Sequence, residues 1–363
     1  METPSLNIKL VIANLAGGGA ERAALLLAEC MTELGHDAEI ILFEDVVAYD
    51  VPAGVRVSCL RGAGKGGWFR SRARMRARAL REHLRGRKVD LTIAFMLHAQ
   101  RACKLAGAPH LWNRIGNALG GEIRAEKTAR RARRLLQKSR RVYDGANVVT
   151  ISKGVADDLL ALGIRPKAVR VVHNPADIAG VRRQARAFVP EEGEYIVHVG
   201  RFHEQKRHDL LVKAYRQSGI PQKLLLLGDD TLPTAEKTRA LVGELGLRER
   251  VIFKGFVRNP YPYIQHAKAL VLCSDYEGFG LVQTEALALG VPVVSTDCVS
   301  GPAEILTGEL AAFLSPPGDA GALAANIAKV IANPPEITAE HAERFDVKIC
   351  ARKYLALRET SAE

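Results

Sequence analysis

A chain of 363 residues, 47% of them hydrophobic, is too long for one ordinary core and too apolar to stay disordered, so two globular domains are expected. No apolar run reaches the roughly 18 residues that a membrane span needs. The opening Met-Glu-Thr-Pro lacks the basic-then-apolar pattern of a secretory signal. The six cysteines (Cys30, Cys59, Cys103, Cys273, Cys298, Cys350) show no C-x-x-C spacing, which points to reduced thiols and not to zinc. The net charge of +12 is uneven: residues 1–180 hold 30 Lys and Arg against 17 Asp and Glu, and the remainder holds 22 against 23. A first half this basic should attract a polyanion, whether a phospholipid surface, a phosphorylated glycan or a nucleic acid.

In chain order, short apolar runs at 8–15, 38–43, 55–60, 91–95, 110–115, 148–152 and 169–173 alternate with helical patterns. Short runs rich in Val, Ile and Leu fit strands buried on both faces. Helices between them imply parallel strands with right-handed crossovers. After the first run, the loop Ala16-Gly17-Gly18-Gly19-Ala20-Glu21-Arg22 leads into a helix predicted over 20–34. Its glycines admit close approach of a ligand, and a helix N-terminus favours an anion. Neither the dinucleotide nor the phosphate-loop spacing is present, and a plain tight turn would explain the glycines equally. Residues 65–88 carry ten basic residues and one acid, with Phe69, Ala73, Ala77, Leu80 and Leu84 forming one narrow apolar stripe. A helix here packs that stripe on the sheet and leaves its arginines to solvent or a membrane. Residues 124–141 repeat the bias, with nine basic residues and one acid.

Asn174-Pro175 ends a run, and 176–192 has no strong apolar period. The break is therefore predicted there, giving domains over 1–178 and 179–345. The second set of runs follows at 195–199, 223–227, 251–256, 269–273 and 292–296. Both halves thus read as doubly wound α/β domains, facing each other across a cleft with ligands beyond the carboxyl ends of the strands. Arg201 and Lys206 lie in the loop after the run at 195–199, where two cations suit a diphosphate. The run at 269–273 leads into Ser274-Asp275-Tyr276-Glu277-Gly278-Phe279-Gly280 and a helix over 281–289 containing Glu285. The amides of Gly280, Leu281 and Val282 would sit at a helix N-terminus, which favours phosphate oxygens. Glu277 and Glu285 would flank that anion site. A carboxylate is repelled by phosphate, so each is suited to hydroxyls.

These segments resemble the two-glutamate motif of the family 4 retaining glycosyltransferases, of the bacterial cell-surface polysaccharide and lipopolysaccharide type. The resemblance takes in Gly17-Gly-Gly-Ala-Glu21, Gly200-Arg-Phe with Lys206, Asn259-Pro-Tyr-Pro-Tyr263, Glu277 to Gly290, and Ser295 to Glu304. It implies the GT-B fold, with residues 346–363 as a helix packing back toward the first domain. It also implies roles. Glu285 binds the ribose, Glu277 contacts the donor sugar, and Arg201 and Lys206 hold the diphosphate. Phe279, Gly280, Leu281 and Val282 supply amides, and Gly255, Phe256 and Val257 approach the base. Gly17, Gly18 and Gly19 complete the donor-binding set, and His98 reaches the donor sugar. One departure stands out: Gly228-Asp229-Asp230-Thr231 replaces the family's Gly-Asp/Glu-Gly-Pro and puts the local turn in question.

The expected activity is retaining transfer of a hexose or N-acetylhexosamine from a nucleotide-sugar to a lipid-linked or lipopolysaccharide glycan. The resemblance favours UDP-sugars over GDP-mannose. No carboxylate pair of the glycosidase kind presents itself, so front-face substitution is expected, with the departing diphosphate stabilised by Arg201, Lys206 and amides. There is no Asp-x-Asp, so no metal or cofactor is expected. The basic segments 65–88 and 124–141 would dock on an anionic membrane, which places the protein in the cytoplasm on the inner face of the membrane. The alternatives are a sugar-nucleotide epimerase of the same fold and a basic nucleic-acid-binding protein. The latter is disfavoured because aromatics are only 6% and no RNA-binding or helix-turn-helix signature occurs.

Overall fold

The computed structural model describes residues 4–60 and 72–361. The chain divides into two compact units, Met1–Pro175 with Phe345–Glu363, and Ala176–Arg344. Among the described residues the first unit holds a sheet of seven parallel strands: β1 Asn7–Ile12, β2 Asp37–Leu42, β3 Arg56–Cys59, β4 Leu91–Phe95, β5 Leu111–Ile115, β6 Asn147–Thr150 and β7 Ala168–Val171. Their order is β3-β2-β1-β4-β5-β6-β7. The second unit holds six: β8 Tyr195–Val199, β9 Lys223–Leu227, β10 Val251–Gly255, β11 Leu270–Leu272, β12 Val293–Thr296 and β13 Leu314–Ser315. They are also parallel, in the order β10-β9-β8-β11-β12-β13. Both sheets are doubly wound. Every predicted apolar run overlaps a strand; β13, two residues long, is too short to leave a periodic signal.

The runs are continuous because each sheet is covered on both faces. In the first unit Ile8, Leu10 and Ile12 point to a core shared with the helix Gly19–Glu33, while Val11, Ile41 and Ala94 point to one shared with the helices Arg72–Leu84 and Met96–Ala106. Burying each such Leu or Ile is worth roughly 1.5–3 kcal/mol. Among the buried polar exceptions are Lys9 on β1 and Glu39 on β2, which pair at 2.8 Å in the interior. Ser58 donates to Glu39 at 2.6 Å, and His83 bonds it at 2.9 Å.

The carboxyl-terminal segment belongs to the first unit. Its helix Val347–Leu355 buries Cys350, Ala351 and Tyr354 in the core that includes Ala24, Leu27 and Ala28. The Nε of buried Arg114 donates to the Tyr354 hydroxyl at 3.0 Å, and another of its nitrogens donates to Asn174. The stretch 176–192 is not a bare connection. It contains the helix Ile178–Gln184, with Ile178, Val181 and Ala185 buried. Three apolar contacts over two turns make a helix too short to register as a period. The first break falls at Pro175, ahead of position 178. All six cysteines are free.

Candidate active site

In the second sheet the winding reverses between β8 and β11. Loops that leave neighbouring strands in opposite directions open a crevice at their carboxyl ends, the usual place for a ligand on such a sheet. Here the two loops are bonded to each other. The Asp275 amide donates to the Gln205 carbonyl at 2.9 Å, and the Gln205 side chain donates to the Tyr276 carbonyl at 2.6 Å. Arg207 binds Asp275 at 2.8 Å. Lys206, at the end of the 3₁₀ turn Glu204–Lys206, reaches Glu277 at 2.5 Å.

Glu277 is 7% exposed. Both internal donors converge on its Oε1, Lys206 Nζ at 2.5 Å and Ser274 Oγ at 2.6 Å. Among the described residues its Oε2 accepts no hydrogen bond. Beneath Lys206, burial lowers the His198 imidazole to about 4 despite its bond to the Val271 carbonyl, so this ring is uncharged at neutral pH. The loop carrying Glu277 is braced from β12. Ser300, at φ 72°, donates to the Glu277 carbonyl at 2.5 Å, and Tyr276 bridges Val299. Gly301 follows at φ 96°, where a β-carbon would lie 2.3 Å from the Phe279 carbonyl oxygen. Only glycine permits that approach. The resemblance takes in Ser300 without giving it a role, because its left-handed backbone and its contact, 23 positions away, leave no local signal.

Gly280, at φ 83°, is the N-cap of the helix Leu281–Ala288, and a side chain there would collide with the Gln283 amide. Among the described residues no side chain caps this helix, and its N-terminal amides and positive dipole end suit an anion. Phe279 is buried; Gly280, Leu281 and Val282 are half-buried. Glu285 is 6% exposed and accepts from Tyr261 Oη at 3.0 Å. Tyr261 lies in Asn259-Pro-Tyr-Pro-Tyr263, a segment the sequence singles out without assigning a role. Arg201 is exposed and makes no ion pair among the described residues. The two expected cations therefore differ: Lys206 is fixed and Arg201 is free to turn. Gly255 ends β10, Phe256 and Val257 follow it, and Phe256 is 79% exposed. The departure at 228–231 is accommodated, since Asp229 accepts from the Thr231 amide at 3.1 Å and hydroxyl at 2.7 Å and closes the turn without a second glycine.

The first sheet reverses between β1 and β4, and the other candidates sit at those strand ends. Gly17, Gly18 and Gly19 are exposed, and Gly18 is held through its backbone by the Tyr49 hydroxyl at 2.8 and 3.0 Å. His98 is exposed in the first turn of the helix Met96–Ala106. Although the residue is exposed overall, partial desolvation of its ring and the charges of Arg76 and Lys138 hold its pKa below the usual imidazole value. The glycine loop and His98 thus belong to one unit, and Arg201, Lys206, Glu277 and Glu285 to the other.

The basic segments need correction. Within 65–88, residues 65–71 lie outside the described residues, Phe69 among them. Ala77, Leu80 and Leu84 are buried as expected, but the arginines are not all surface groups. Arg76 is buried, paired with Glu44 and lying over the Phe43 ring at 5.3 Å. Arg81 caps the carbonyls of Leu105 and Ala106 at 2.7 and 3.2 Å. By contrast, the helix Ala129–Tyr143 buries only Ser139, Val142 and Tyr143, and exposes Arg130, Arg131, Arg133, Arg134, Lys138, Arg140 and Arg141. Among the described residues no helix is long and apolar enough to cross a membrane, and no group of three His, Cys, Asp or Glu could hold a metal ion.

The family model for group 1 glycosyl transferases matches residues 182–348, and that for the glycosyl transferase 4-like domain matches 18–175. The chain belongs to the family 4 glycosyltransferases. Its relatives within the family include the lipopolysaccharide 1,6-galactosyltransferase of Escherichia coli K12, 33% identical over 53% of this chain and 54% of that one. Another is the N-acetylgalactosamine-N,N'-diacetylbacillosaminyl-diphospho-undecaprenol 4-alpha-N-acetylgalactosaminyltransferase of Campylobacter jejuni, 35% identical over 42% of each chain. The chain spans about half the length of the curated relatives it matches. Among solved structures, HepE of Anabaena in complex with UDP and glucose superposes with a TM-score of 0.77 at 21% identity, over 98% of this chain and 100% of that one. A glycosyltransferase of Rickettsia africae gives 0.77 at 17% identity over 99% and 100%. At such identities the likeness establishes the fold, which is GT-B.

Proposed function

We propose that this glycosyltransferase-family chain transfers a hexose or N-acetylhexosamine from a UDP-sugar to a lipid-linked or lipopolysaccharide glycan, with retention of configuration and without a metal. The observation that carries the reading is the junction at the β8–β11 switch point. A fixed ammonium, an uncapped helix N-terminus and a buried carboxylate with one open oxygen occur together within two bonded loops. Ammonium and amides suit a diphosphate, and the open oxygen suits a sugar hydroxyl. Glu285, oriented by Tyr261, takes the ribose. Phe256 offers a face to the base from the end of β10, two strands away.

For the reaction, the leaving diphosphate gains charge as the glycosidic bond breaks. Lys206, Arg201 and the amides of Gly280, Leu281 and Val282 offset that charge, and one preorganised donor is worth ~2.7–4 kcal/mol. The acceptor hydroxyl attacks from the face the nucleotide leaves, and a phosphate oxygen takes its proton. The names of the relatives, one acting on lipopolysaccharide and one on a diphospho-undecaprenol glycan, support the acceptor class. The exposed arginines of Ala129–Tyr143 would hold the chain against anionic lipid at the cytoplasmic face of the membrane.

Thermal-shift screening against UDP, GDP, ADP and their sugars tests the donor, followed by transfer assays on lipid-linked and lipopolysaccharide glycans with and without EDTA. The expected result is stabilisation by UDP-sugars and transfer unaffected by EDTA. Stabilisation by a GDP- or ADP-sugar alone would overturn the choice of base, loss of transfer with EDTA would overturn metal independence, and conversion of the donor into an epimer without acceptor would overturn transfer itself.

A further inference from the structure

We propose that the Lys206–Glu277 ion pair makes tight diphosphate binding conditional on the attached sugar, so that the site favours the intact donor over the bare nucleotide diphosphate left after transfer. This rests on the reading of the β8–β11 junction as the diphosphate site.

Lys206 is one of the two cations assigned to that site, and it is already committed to Glu277 at 2.5 Å. The Glu277 side chain is 9% exposed and that of Lys206 19%. Oε1 receives both Lys206 and Ser274, while Oε2 receives nothing from the described residues. A diphosphate on Lys206 draws the ammonium toward itself and brings its own charge up to a carboxylate that water screens poorly. A buried carboxylate that loses part of its cation is costly unless another donor replaces it. Ser274 is already used. The donor that can arrive is a hydroxyl on Oε2, and it comes with the sugar. Diphosphate and sugar hydroxyl therefore bind with positive coupling through Lys206 and Glu277. After transfer the hydroxyl leaves with the sugar, Lys206 returns fully to Glu277, and the nucleotide is released. Arg201 has no ion pair among the described residues, so nothing comparable taxes its contact with phosphate.

Calorimetric titration with inorganic pyrophosphate probes the diphosphate site without base or sugar. Wild-type chain should bind it weakly. Glu277→Gln removes the competing carboxylate and should bind it at least ten-fold more tightly. Ser274→Ala leaves Glu277 more dependent on Lys206 and should bind it several-fold more weakly, and it keeps the test open should Glu277→Gln not fold. Lys206→Ala should abolish the binding. Equal or weaker binding by Glu277→Gln, or by Ser274→Ala an affinity equal to or above wild type, would overturn the coupling. Retained binding by Lys206→Ala would instead overturn the assignment of the diphosphate site.

Discussion

Lys206 and Arg201 were a matched pair of cations by sequence, and the structure separates them. Removing Lys206 strands the Glu277 carboxylate, 7% exposed, with Ser274 as its only remaining partner among the described residues. Lys206→Ala should therefore lower kcat at least ten-fold and also cost about 1–3 kcal/mol of stability. Arg201→Ala should lower kcat similarly and leave the urea midpoint unchanged. A Lys206→Ala chain as stable as wild type would contradict the ion pair. Ser300 offers a contrasting test. A non-glycine residue at φ 72° stores of order 1 kcal/mol of strain, which persists only where the surroundings impose it. Ser300→Gly should raise or keep stability while reducing kcat several-fold, because the Glu277 carbonyl loses its brace. Ser300→Ala should reduce both. If Ser300→Gly reacts at the wild-type rate, the brace has no part in positioning Glu277.

At the scale of elements, two helices with the same charge bias have different uses. The helix Arg72–Leu84 commits Arg76, Arg81 and His83 to partners within the first unit, so part of its positive charge is used internally. The helix Ala129–Tyr143 anchors only its last turn and leaves seven basic side chains exposed. Replacing Arg130, Arg133, Arg134 and Lys138 by Glu should abolish sedimentation with anionic vesicles at low salt and leave the circular dichroism spectrum unchanged. The same exchange of Arg72, Arg74 and Arg78 should have the smaller effect. Equal binding of wild type to neutral and anionic vesicles would remove the membrane from the picture. Strand existence was legible because parallel strands buried on both faces must be apolar throughout. The helix Ile178–Gln184 and β13 were not, because neither buries enough residues to repeat a period.

For the whole molecule, pH reports on the interior of the first sheet. Burial raises the Glu39 carboxyl, but bonds from Lys9, Ser58 and His83 outweigh it and bring the pKa to about 2, below the unfolded value of 4.5. A depressed carboxyl contributes stability in full above its unfolded pKa and loses it as pH falls through the folded one. The contribution is on the order of 3 kcal/mol, present above about pH 4.5 and lost toward pH 2. Urea midpoints of wild type should fall steeply over that window. Glu39→Gln should be less stable at neutral pH and flatter across it, and an equal slope in both would place the acid sensitivity elsewhere.

The sequence by itself determined the two doubly wound sheets, the family, and the loops where chemistry is to be sought, because burial pattern and glycine spacing are local properties of a chain. It also supplied Arg201, Lys206, Glu277 and Glu285 of the second-unit site, whereas His198 and Arg207 joined it only in the structure. What it left open was who meets whom. That Lys206 is bound to Glu277, that Glu285 leans on Tyr261, that Ser300 supports a loop 23 positions earlier, and that Arg76 is buried while Arg130 is not, were decided only when strands distant in sequence became neighbours. Pairing and burial depend on which strand lies beside which, and that order is a property of the folded sheet.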